Sequence, residues 1–397
     1  MENPVLQGFT VVDLTRNLAG PFCSMILGDL GAEVIKVEQP GAGDDTRAWG
    51  PPNWGTVSAA FASANRNKRG IAVDLDRPDG VEIVRTLVER ADVLVESFKP
   101  GTLDRRGLGW ADLSSLNDRL VYCSISAYGQ QGPMRDGPGY DPVIQAFTGI
   151  MHITGHPEGD AARLGVGALD LGAAMWAVIG IQAALGQRAM TGRGSRVDTS
   201  LLETATWWLS YHLGGYLASG IDPQRQGTTT GFIAPYETFP TAEGDIFVAA
   251  PNDNLFRAFA RALDLPELID DPRFADNPTR VRNRVALRDR IVVRMAGQTA
   301  VEWETVLRAA SVPCTRVRSV AEFASDEQLG ALGLVRPLPH PDAADLEAID
   351  LPVTIDGGRA TRWSPPPRLG EHTDEVLAEL GYEADRIAAL RKSGTVA

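Results

Sequence analysis

Residues that build metal centres and disulfide frameworks are scarce in this sequence. Of its 397 residues, three are cysteine and five are histidine. Cys23, Cys123 and Cys314 lie far apart in the sequence, which argues against a disulfide framework and against a CxxC metal motif. The histidines show neither HxxxH nor HExxH spacing, so we expect no metal centre.

Positive charge and targeting signals are also lacking. The formal net charge is -13, so the protein repels nucleic acid and anionic membranes, and a local basic cluster must hold any anionic ligand. The first residues, Met-Glu-Asn-Pro, have neither the basic nor the apolar region of a signal peptide. We expect the longest apolar stretch, which follows Asp170, to be too short and too rich in Gly and Ala to cross a bilayer. These features predict a cytoplasmic protein with neither a nucleic-acid nor a membrane partner.

What the sequence does contain is a regular alternation of short apolar runs and helical patterns. Strands are predicted at 9–14, 32–38, 70–75, 92–98, 120–126 and 197–200, and helices at 21–30, 78–90, 103–116 and 201–217. Strands separated by helices form βαβ units, so we expect an α/β fold with a Rossmann-like, doubly wound parallel sheet in a large domain.

A different pattern predicts a smaller, inserted α+β domain. Strands are expected at 236–239 and 245–250, and residues 255–309 are mainly helical. We place the large domain in 1–205 plus 335–397, the small domain in 225–330, and linkers in 206–224 and 331–334.

The first turn between a strand and a helix, at residues 13–21, is a candidate ligand site. It lies where a doubly wound fold binds nucleotides, with Pro21 suited to the first helical position. The GxGxxG fingerprint is absent, which disfavours a nicotinamide dinucleotide. An ordinary capped turn remains the alternative interpretation.

Two basic clusters stand out in this acidic chain. One is the run at 65–69, and the other comprises Lys99, Arg105 and Arg106. Forked Arg donors and Lys charges suit a phosphate-rich ligand. Charge runs are also common on solvated surfaces, so both interpretations stay open at this point.

Asp170 lies between a Gly-rich turn and a long apolar helix. This position predicts an N-cap whose carboxylate faces unpaired helix N–H groups and stays ionised. Such a carboxylate either only caps the helix or also attacks an activated acyl group. Before another apolar helix, Tyr140 offers a phenol donor and Asp141 is a candidate cap for that helix.

Several motifs in the same order resemble the class III CoA-transferase family, which includes formyl-CoA transferase and the carnitine and bile-acid CoA-transferases. The matching segments are DLT (13–15), AGP (19–21), GAEVIKVE (31–38), GDDTR (43–47), NKR (67–69), LDR (103–105), GYD (139–141), GRG (192–194), APY (234–236), VPC (312–314) and LGEHT (369–373). They extend over almost the whole chain, and their common order makes the resemblance specific.

The resemblance implies an enzyme that moves CoA from an acyl-CoA thioester to a carboxylic acid. Asp170 aligns with the catalytic aspartate of the family, which forms a mixed anhydride and then an aspartyl-CoA thioester. The resemblance implies CoA contacts for seven residues: Arg16, Leu18, Ala19, Lys68, Ser97, Phe98 and Arg105. Lys68 and Arg105 would reach phosphates, and Ser97 and Phe98 would flank the adenine.

Further roles follow from the same resemblance. Arg47 and Arg16 are candidates to pair with a second substrate carboxylate, which favours a dicarboxylate such as succinate as donor. Tyr140 would lie at the substrate, and the turn from Gly227 to Gly231 would close over Asp170 as a lid. The family fold is an interlocked-ring homodimer with no tightly bound cofactor, since CoA enters and leaves as a substrate.

The sequence departs from formyl-CoA transferase at three places. Ser97 replaces an Asn, Gln39 replaces an Arg, and three threonines separate Gly227 from Gly231 where that enzyme has only glycines. Specificity for formyl-CoA is therefore not implied.

Two other functions remain alternatives. An α-methylacyl-CoA racemase shares the family fold and uses a His-Asp pair where this chain has Tyr140-Asp141. Because a tyrosine phenol has a pKa of about 10, Tyr140 is a poor proton acceptor near neutral pH. A CoA-binding protein without turnover is the second alternative, since fold alone does not establish catalysis.

Overall fold

A computed structural model describes residues 5–359 and 362–397. Contacts divide the described chain into two compact units. The first contains the residues up to 150, 164–220 and those from 330 onward, and the second contains 151–163 and 221–329. The segment 151–163 thus belongs to the second unit, whereas the sequence analysis placed it in the large domain. Residues 206–220 belong to the first unit rather than to a linker.

The described strands and helices are as follows. The strands are β1 Thr10–Asp13, β2 Glu33–Glu38, β3 Asn53–Trp54, β4 Val57–Ser58, β5 Lys68–Ala72, β6 Val93–Glu96, β7 Val121–Ser126, β8 Arg196–Ser200, β9 Tyr236–Pro240, β10 Asp245–Ala249, β11 Cys314–Arg316, β12 Val335–Pro337 and β13 Glu347–Ile349. The helices are α1 Ala19–Asp29, α2 Ala59–Asn65, α3 Pro78–Arg90, α4 Trp110–Leu116, α5 Asp141–Phe147, α6 Ile150–Ile153, α7 Ala168–Thr191, α8 Leu201–Trp208, α9 Ser210–Ser219, α10 Asp253–Ala262, α11 Glu267–Asp270, α12 Asn277–Arg282, α13 Arg284–Met295, α14 Ala300–Ala309, α15 Val320–Ala324, α16 Glu327–Leu332, α17 Thr373–Glu379 and α18 Ala384–Ser393. Short 3-10 helices lie at Asp45–Ala48, Asp104–Arg106 and Pro272–Phe274.

Six of these strands form the central sheet of the first unit, in the order β5-β2-β1-β6-β7-β8, and all neighbours run parallel. Two antiparallel pairs, β3-β4 and β12-β13, lie outside this sheet. The predicted α/β fold with a central parallel sheet is therefore confirmed. The chain passes from β1 to β2 and β5 on one side and then returns to β6 on the other. This reversal places the switch point, where ligands bind in such sheets, beyond the carboxyl ends of β1 and β6.

Both faces of the sheet are covered, which explains the apolar runs in its strands. Val11 faces a core shared with α1 and α7, whereas its neighbour Val12 faces a core shared with α3, α17 and α18. The C-terminal helices therefore complete the layer that the first part of the chain begins.

Glycine and packing shift some element boundaries. Helix α1 begins at Ala19, so Pro21 is its third residue and not its first. The helix predicted at 103–116 is broken, because Gly107 adopts a left-handed conformation and ends a 3-10 turn before α4 begins. The helix predicted at 201–217 is divided into α8 and α9 at Leu209.

Helix α7 contradicts the expectation of a short apolar stretch. It has 24 residues and a length of about 36 Å at the usual helical rise. By length and composition it is the one helix of the described chain that could cross a membrane, although half of its most apolar window is buried inside the protein. Core helices of soluble proteins can have the same length and apolar composition. The expectation failed because the helix continues beyond Leu185.

The second unit has its own core. Its described sheet is antiparallel, in the order β11-β10-β9. Phe239, Ile246, Phe259 and Trp303 are buried in one cluster between this sheet and helices that include α10 and α14.

Candidate active site

Three predicted CoA-binding residues meet at the switch point of the sheet. The backbone N–H of Arg16, which follows β1, donates to Ser97 Oγ over 3.3 Å. The Arg16 guanidinium lies over the ring of Phe98, 5.5 Å from its centre. The two loops therefore form one surface with an exposed cation and an aromatic ring, both suited to a nucleotide thioester.

Arg105 is exposed beside a surface groove. Its guanidinium donates to Thr102 Oγ1 over 3.3 Å. The groove, of about 620 Å³, is also lined by Leu75, Arg77 and Arg106. Arg77 and Arg106 pair with nearby aspartates, whereas no acidic partner of Arg105 lies within salt-bridge distance in the described residues. This arrangement is compatible with the phosphate contact predicted for Arg105.

Lys68 does not have the predicted role. Its side chain is fully buried, and Nζ donates to Asp13 Oδ2 at 3.0 Å, to the Pro21 carbonyl at 2.9 Å and to Asn65 Oδ1 at 2.8 Å. Burial lowers the pKa of Lys68 to about 8, although Asp13 opposes this effect. An ammonium group has three N–H donors, so none is left for a phosphate. Lys68 therefore stabilises the fold beneath the turn at 13–21.

Arg47 is also occupied within the protein. Its guanidinium forms a forked pair with Glu38, with N–O distances of 2.8 and 2.7 Å, and stacks on the ring of Phe61 at 3.8 Å. A third bond goes to the carbonyl of Pro367. Arg47 therefore stabilises the fold and is not available to a substrate carboxylate.

Asp170 is the third residue of α7 and does not cap it. The cap position belongs to Gly167, which has no side chain to accept a hydrogen bond from the first turn. A Cβ atom built on Gly167 would lie 3.7 Å from Asp170 Oδ2, 3.9 Å from Leu18 Cδ1 and 4.0 Å from Asp141 Oδ2. The predicted nucleophile therefore lies close to the turn that follows β1. Ala19 is buried in the core between α1 and α7, so its side chain supports that turn from below.

The cap of α7 comes from Asp141, which corrects its predicted role at its own helix. Asp141 Oδ2 accepts the backbone N–H groups of Leu169 at 2.7 Å and of Asp170 at 3.3 Å. Asp141 Oδ1 accepts a hydrogen bond from Gln145, and Gln145 Oε1 accepts the N–H of Leu164 at 2.9 Å. The buried pair of Asp141 and Gln145 therefore fixes both the first turn of α7 and the segment before it.

Asp170 is less readily ionised than its predicted position as an N-cap implied. Burial and, to a lesser extent, the negative charge of Asp141 raise the pKa of Asp170 from 3.8 to about 7. A carboxylate with a raised pKa is more basic and carries little competing solvation, which favours nucleophilic attack by its ionised form. Tyr140 precedes Asp141 and is 55% exposed, so its phenol is accessible beside this helix start.

The turn at 227–231 lies in the second unit and is tied to its surroundings there. Gly227 adopts a φ of 62° and donates its N–H to the Gly155 carbonyl at 2.9 Å. Arg284 donates to the carbonyls of Thr230 and Ile233. Gly231 does not have a positive φ, so Gly227 is the position of this turn that requires glycine.

Within residues 5–359 and 362–397, no group of three or more His, Cys, Asp or Glu side chains is placed to hold a metal ion.

The sequence model of CoA-transferase family III matches residues 6–373, so the chain belongs to that family. It is an enzyme of the class III CoA-transferase type.

Individual relatives extend over most of the chain. A succinyl-CoA:glutarate CoA-transferase from Mus musculus is 41% identical over 392 residues, which cover 98% of this chain and 90% of the relative. A succinate–glutarate CoA-transferase from Agrobacterium fabrum is 39% identical, covering 95% of this chain and 96% of the relative. The crystal structure of a CAIB/BAIF family protein from Brucella suis is similar with a TM-score of 0.86 and 38% identity, covering 95% of this chain and all of that one.

Proposed function

We propose that this enzyme moves CoA from an acyl-CoA to a carboxylic acid through covalent intermediates on Asp170. The observation that carries the proposal is the position of Asp170: the carboxylate lies in the first turn of α7, near Leu18 of the switch-point turn, with its helix start held by Asp141. Binding of the CoA ester by Arg16, Leu18, Ser97, Phe98 and Arg105 would bring the thioester to this carboxylate.

The reaction has two matching halves. An Asp170 oxygen attacks the acyl carbonyl carbon, the C–S bond breaks, and CoA leaves as the thiolate. The thiolate attacks the Asp170 carbonyl carbon of the mixed anhydride, which releases the donor acid and leaves an aspartyl-CoA thioester. The acceptor carboxylate displaces CoA to form a second anhydride, and the thiolate then attacks its acyl carbon. This sequence regenerates the Asp170 carboxylate and requires mainly positioning and stabilisation of oxyanions.

Oxygen transfer tests this mechanism directly. In each cycle the donor acid leaves with one Asp170 oxygen, and the acceptor acid supplies its replacement. With an acceptor labelled with heavy oxygen, the peptide containing Asp170 should gain one label in a single turnover. Donor acid released in later turnovers should carry the label, because either oxygen of the Asp170 carboxylate can attack the thioester. A label that passes between the two acids without appearing on Asp170 would overturn the proposal.

A matched pair of variants completes the test. Asp170→Asn should abolish transfer, whereas Asp112→Asn should transfer normally, because Asp112 is also the third residue of its helix but is exposed on α4. Equal activity of both variants would exclude Asp170 as the nucleophile.

We propose a dicarboxylate pair as substrates, with succinyl-CoA as donor and a dicarboxylic acid such as glutarate as acceptor. Two relatives carry those names. Arg16 is the exposed cation on the switch-point turn, and Arg47 is excluded by its bonds to Glu38. A panel of acyl-CoA donors and acids, read by mass spectrometry, tests the preference. Better use of monocarboxylates of equal length would contradict it.

We further propose that the enzyme works as a homodimer, in the interlocked form that the resemblance implies. Met175 and Ile179 on one face of α7, together with Trp207 and Tyr211 on the following helices, are each at least half exposed. Trp176 and Trp207 contact each other edge to face, so this apolar surface continues from α7 to α8. Large exposed apolar surfaces mark interaction sites. Light scattering of the intact protein should give twice the chain mass.

The free thiols of Cys23, Cys123 and Cys314 support the proposed cytoplasmic location, since reducing compartments keep cysteines unpaired.

A further inference from the structure

A buried ion pair lies directly below the turn that carries Arg16 and Leu18. Lys36 on β2 and Asp44 have side chains with no exposure, and Lys36 Nζ lies 2.9 Å from Asp44 Oδ2. Isolated buried charges are costly, so such a pair needs further hydrogen bonds to be tolerated. Two of its further bonds go to the backbone of the turn, and Asp44 Oδ1 also caps the 3-10 helix at Asp45–Ala48 by accepting the N–H and hydroxyl of Thr46.

The two side chains hold the turn at successive backbone groups. Lys36 Nζ donates to the Thr15 carbonyl over 3.1 Å. Asp44 Oδ1 accepts the N–H of Asn17 over 3.2 Å, where the backbone is left-handed with a φ of 66°. Arg16 lies between these two fixed points, and its own N–H is bonded to Ser97. The pair therefore determines the path of the backbone on both sides of Arg16.

Neighbouring groups further restrict the backbone of the turn. Asp13 Oδ1 accepts the N–H of Thr15 at 2.9 Å, and Lys68 balances Asp13 at 3.0 Å. On the other side, the Thr15 side chain fills the space above Gly20, where a Cβ atom would lie 2.3 Å from Thr15 Cβ. These contacts leave little freedom for the turn.

We propose that Lys36 and Asp44 are positioning residues for acyl-CoA: their buried pair presents Arg16 and Leu18 to the CoA ester without touching it. This inference rests on the proposed function of the switch-point turn. The nearby negative charges of Asp13 and Asp44 outweigh the effect of burial and hold the pKa of Lys36 above its usual value, so the ammonium stays charged at all working pH values.

The test uses an apolar replacement of the whole pair. The double variant Lys36→Met/Asp44→Leu removes both charges together, which leaves less uncompensated charge than either single change. Calorimetric titration of the full-length protein with CoA should show a Kd raised about tenfold or more, the scale of one or two lost charged hydrogen bonds. The KM for the acyl-CoA should rise with it.

A matched control separates positioning from general loss of structure. Arg66 and Asp29 form a second buried pair in the same unit, bonded to Asn67 and not to the turn. The corresponding double variant, Arg66→Met/Asp29→Leu, should lose stability and keep the wild-type Kd for CoA. An equal rise of Kd in both double variants would overturn the inference.

Conservative and combined variants give two further readouts. Asp44→Asn retains an acceptor for the Asn17 N–H, and Asp13 still balances Lys36, so this variant should fold and lose less CoA affinity than the double variant. In an Arg16→Ala background the double variant should weaken CoA binding less than it does in the wild type, because the residue it positions is gone. Fully additive effects would contradict the inference.

The same measurements distinguish failure of the inference from failure of the proposed site. If Arg16→Ala weakens CoA binding and the double variant does not, the site stands and the positioning role is wrong. If Arg16→Ala binds CoA like the wild type, the assignment of the turn and the inference fall together.

Discussion

The carboxylate of Asp141 lies 3.3 Å from the backbone nitrogen of Asp170 and accepts its N–H. Asp141 therefore caps the helix that carries Asp170 and also places a negative charge beside the Asp170 carboxylate. The first effect fixes the position of the proposed nucleophile, and the second contributes to the raised pKa of Asp170. The two effects can be measured separately, because an asparagine at position 141 would retain an acceptor oxygen for the N–H of Asp170 but would carry no charge.

We expect Asp141→Asn to move the pH dependence of the first half-reaction to lower pH. Burial remains the main cause of the raised pKa of Asp170, so the midpoint should fall below the wild-type value of about 7 without reaching the ordinary 3.8. Trapping of the acyl group by hydroxylamine in single turnovers, over roughly pH 5 to 9, measures this midpoint. An unchanged midpoint would show that the charge of Asp141 does not act on Asp170.

Neutralising Asp170 should stabilise the fold, in contrast to its effect on activity. The folded-state pKa is raised from 3.8 to about 7, so the folded protein binds more protons than the unfolded chain between these values. Stability associated with Asp170 is therefore present below about pH 4 and is lost as the pH rises through 7. Asp170→Asn should melt a few degrees above the wild type at pH 8.

The control for this stability prediction is the same comparison in acid. At about pH 4 both proteins carry a neutral group at position 170 when folded, so the difference in Tm should shrink. A Tm of Asp170→Asn below that of the wild type at pH 8 would mean that Asp170 makes favourable ionic contacts, contrary to its surroundings in the first unit.

Arg105→Ala should weaken binding of the CoA ester by roughly 1–3 kcal/mol, the scale of a lost hydrogen bond to a charged group. The salt dependence of binding should weaken at the same time, because one charge contact is missing. Arg119 is a suitable control: it is exposed and donates to the Gly192 carbonyl, so Arg119→Ala should bind CoA normally. Equal affinities of the wild type and Arg105→Ala for the CoA ester would show that Arg105 does not bind it.

Lys68→Met should act through stability and not through a lost phosphate contact. The substitution leaves Asp13 buried without its nearest cation, which typically costs about 3–5 kcal/mol. Urea unfolding measures this loss. Because Lys36 also contributes to the low pKa of Asp13, the lower end of the range is expected. A variant with wild-type stability but weak CoA binding would instead restore Lys68 to the phosphate site.

The sequence predicted the fold more completely than the site. Apolar runs broken by helical patterns were sufficient for the parallel sheet, because burial on both faces leaves a clear signal in strands such as β2. The same strand contains Lys36 and Glu38, and a charged residue within an apolar run was the available signal for a buried ion pair. Its partner Asp44 lies beyond the strand, and no local pattern shows which distant charge will meet it.

The misassigned site residues share one cause. Lys68 and Arg47 were assigned to ligands because they are basic and lie in family motifs, but their partners Asp13 and Glu38 come from other segments. The role of Asp141 was missed for a similar reason: its spacing to Gln145 places both on one face of α5, yet the helix that it caps begins 27 residues later. Only the packed fold shows where such hydrogen bonds go.

The turn at 227–231 gives the last prediction, which concerns protection of the proposed aspartyl intermediates from water. We expect Gly227→Ala to strain the turn, because φ is 62° there and a Cβ would lie 2.8 Å from His156 Nδ1. Gly231→Ala is the matched control, since its nearest neighbour would be Gln226 at 3.4 Å and its φ is not positive. If the turn is a lid, Gly227→Ala should raise the ratio of acyl-CoA hydrolysis to transfer, while Gly231→Ala should leave it unchanged.

Backbone restriction at Gly231 tests the same lid in a different way. Gly231→Pro removes an N–H and fixes φ, so it should impair closure and raise the hydrolysis ratio even where the alanine is tolerated. Both activities are followed in one assay, with free CoA and the product thioester quantified by mass spectrometry. Far-ultraviolet circular dichroism confirms that the variants are folded. If the Gly227→Ala and Gly231→Pro variants transfer CoA with the wild-type hydrolysis ratio, the turn only connects two segments of the second unit, and exclusion of water must be assigned to other residues.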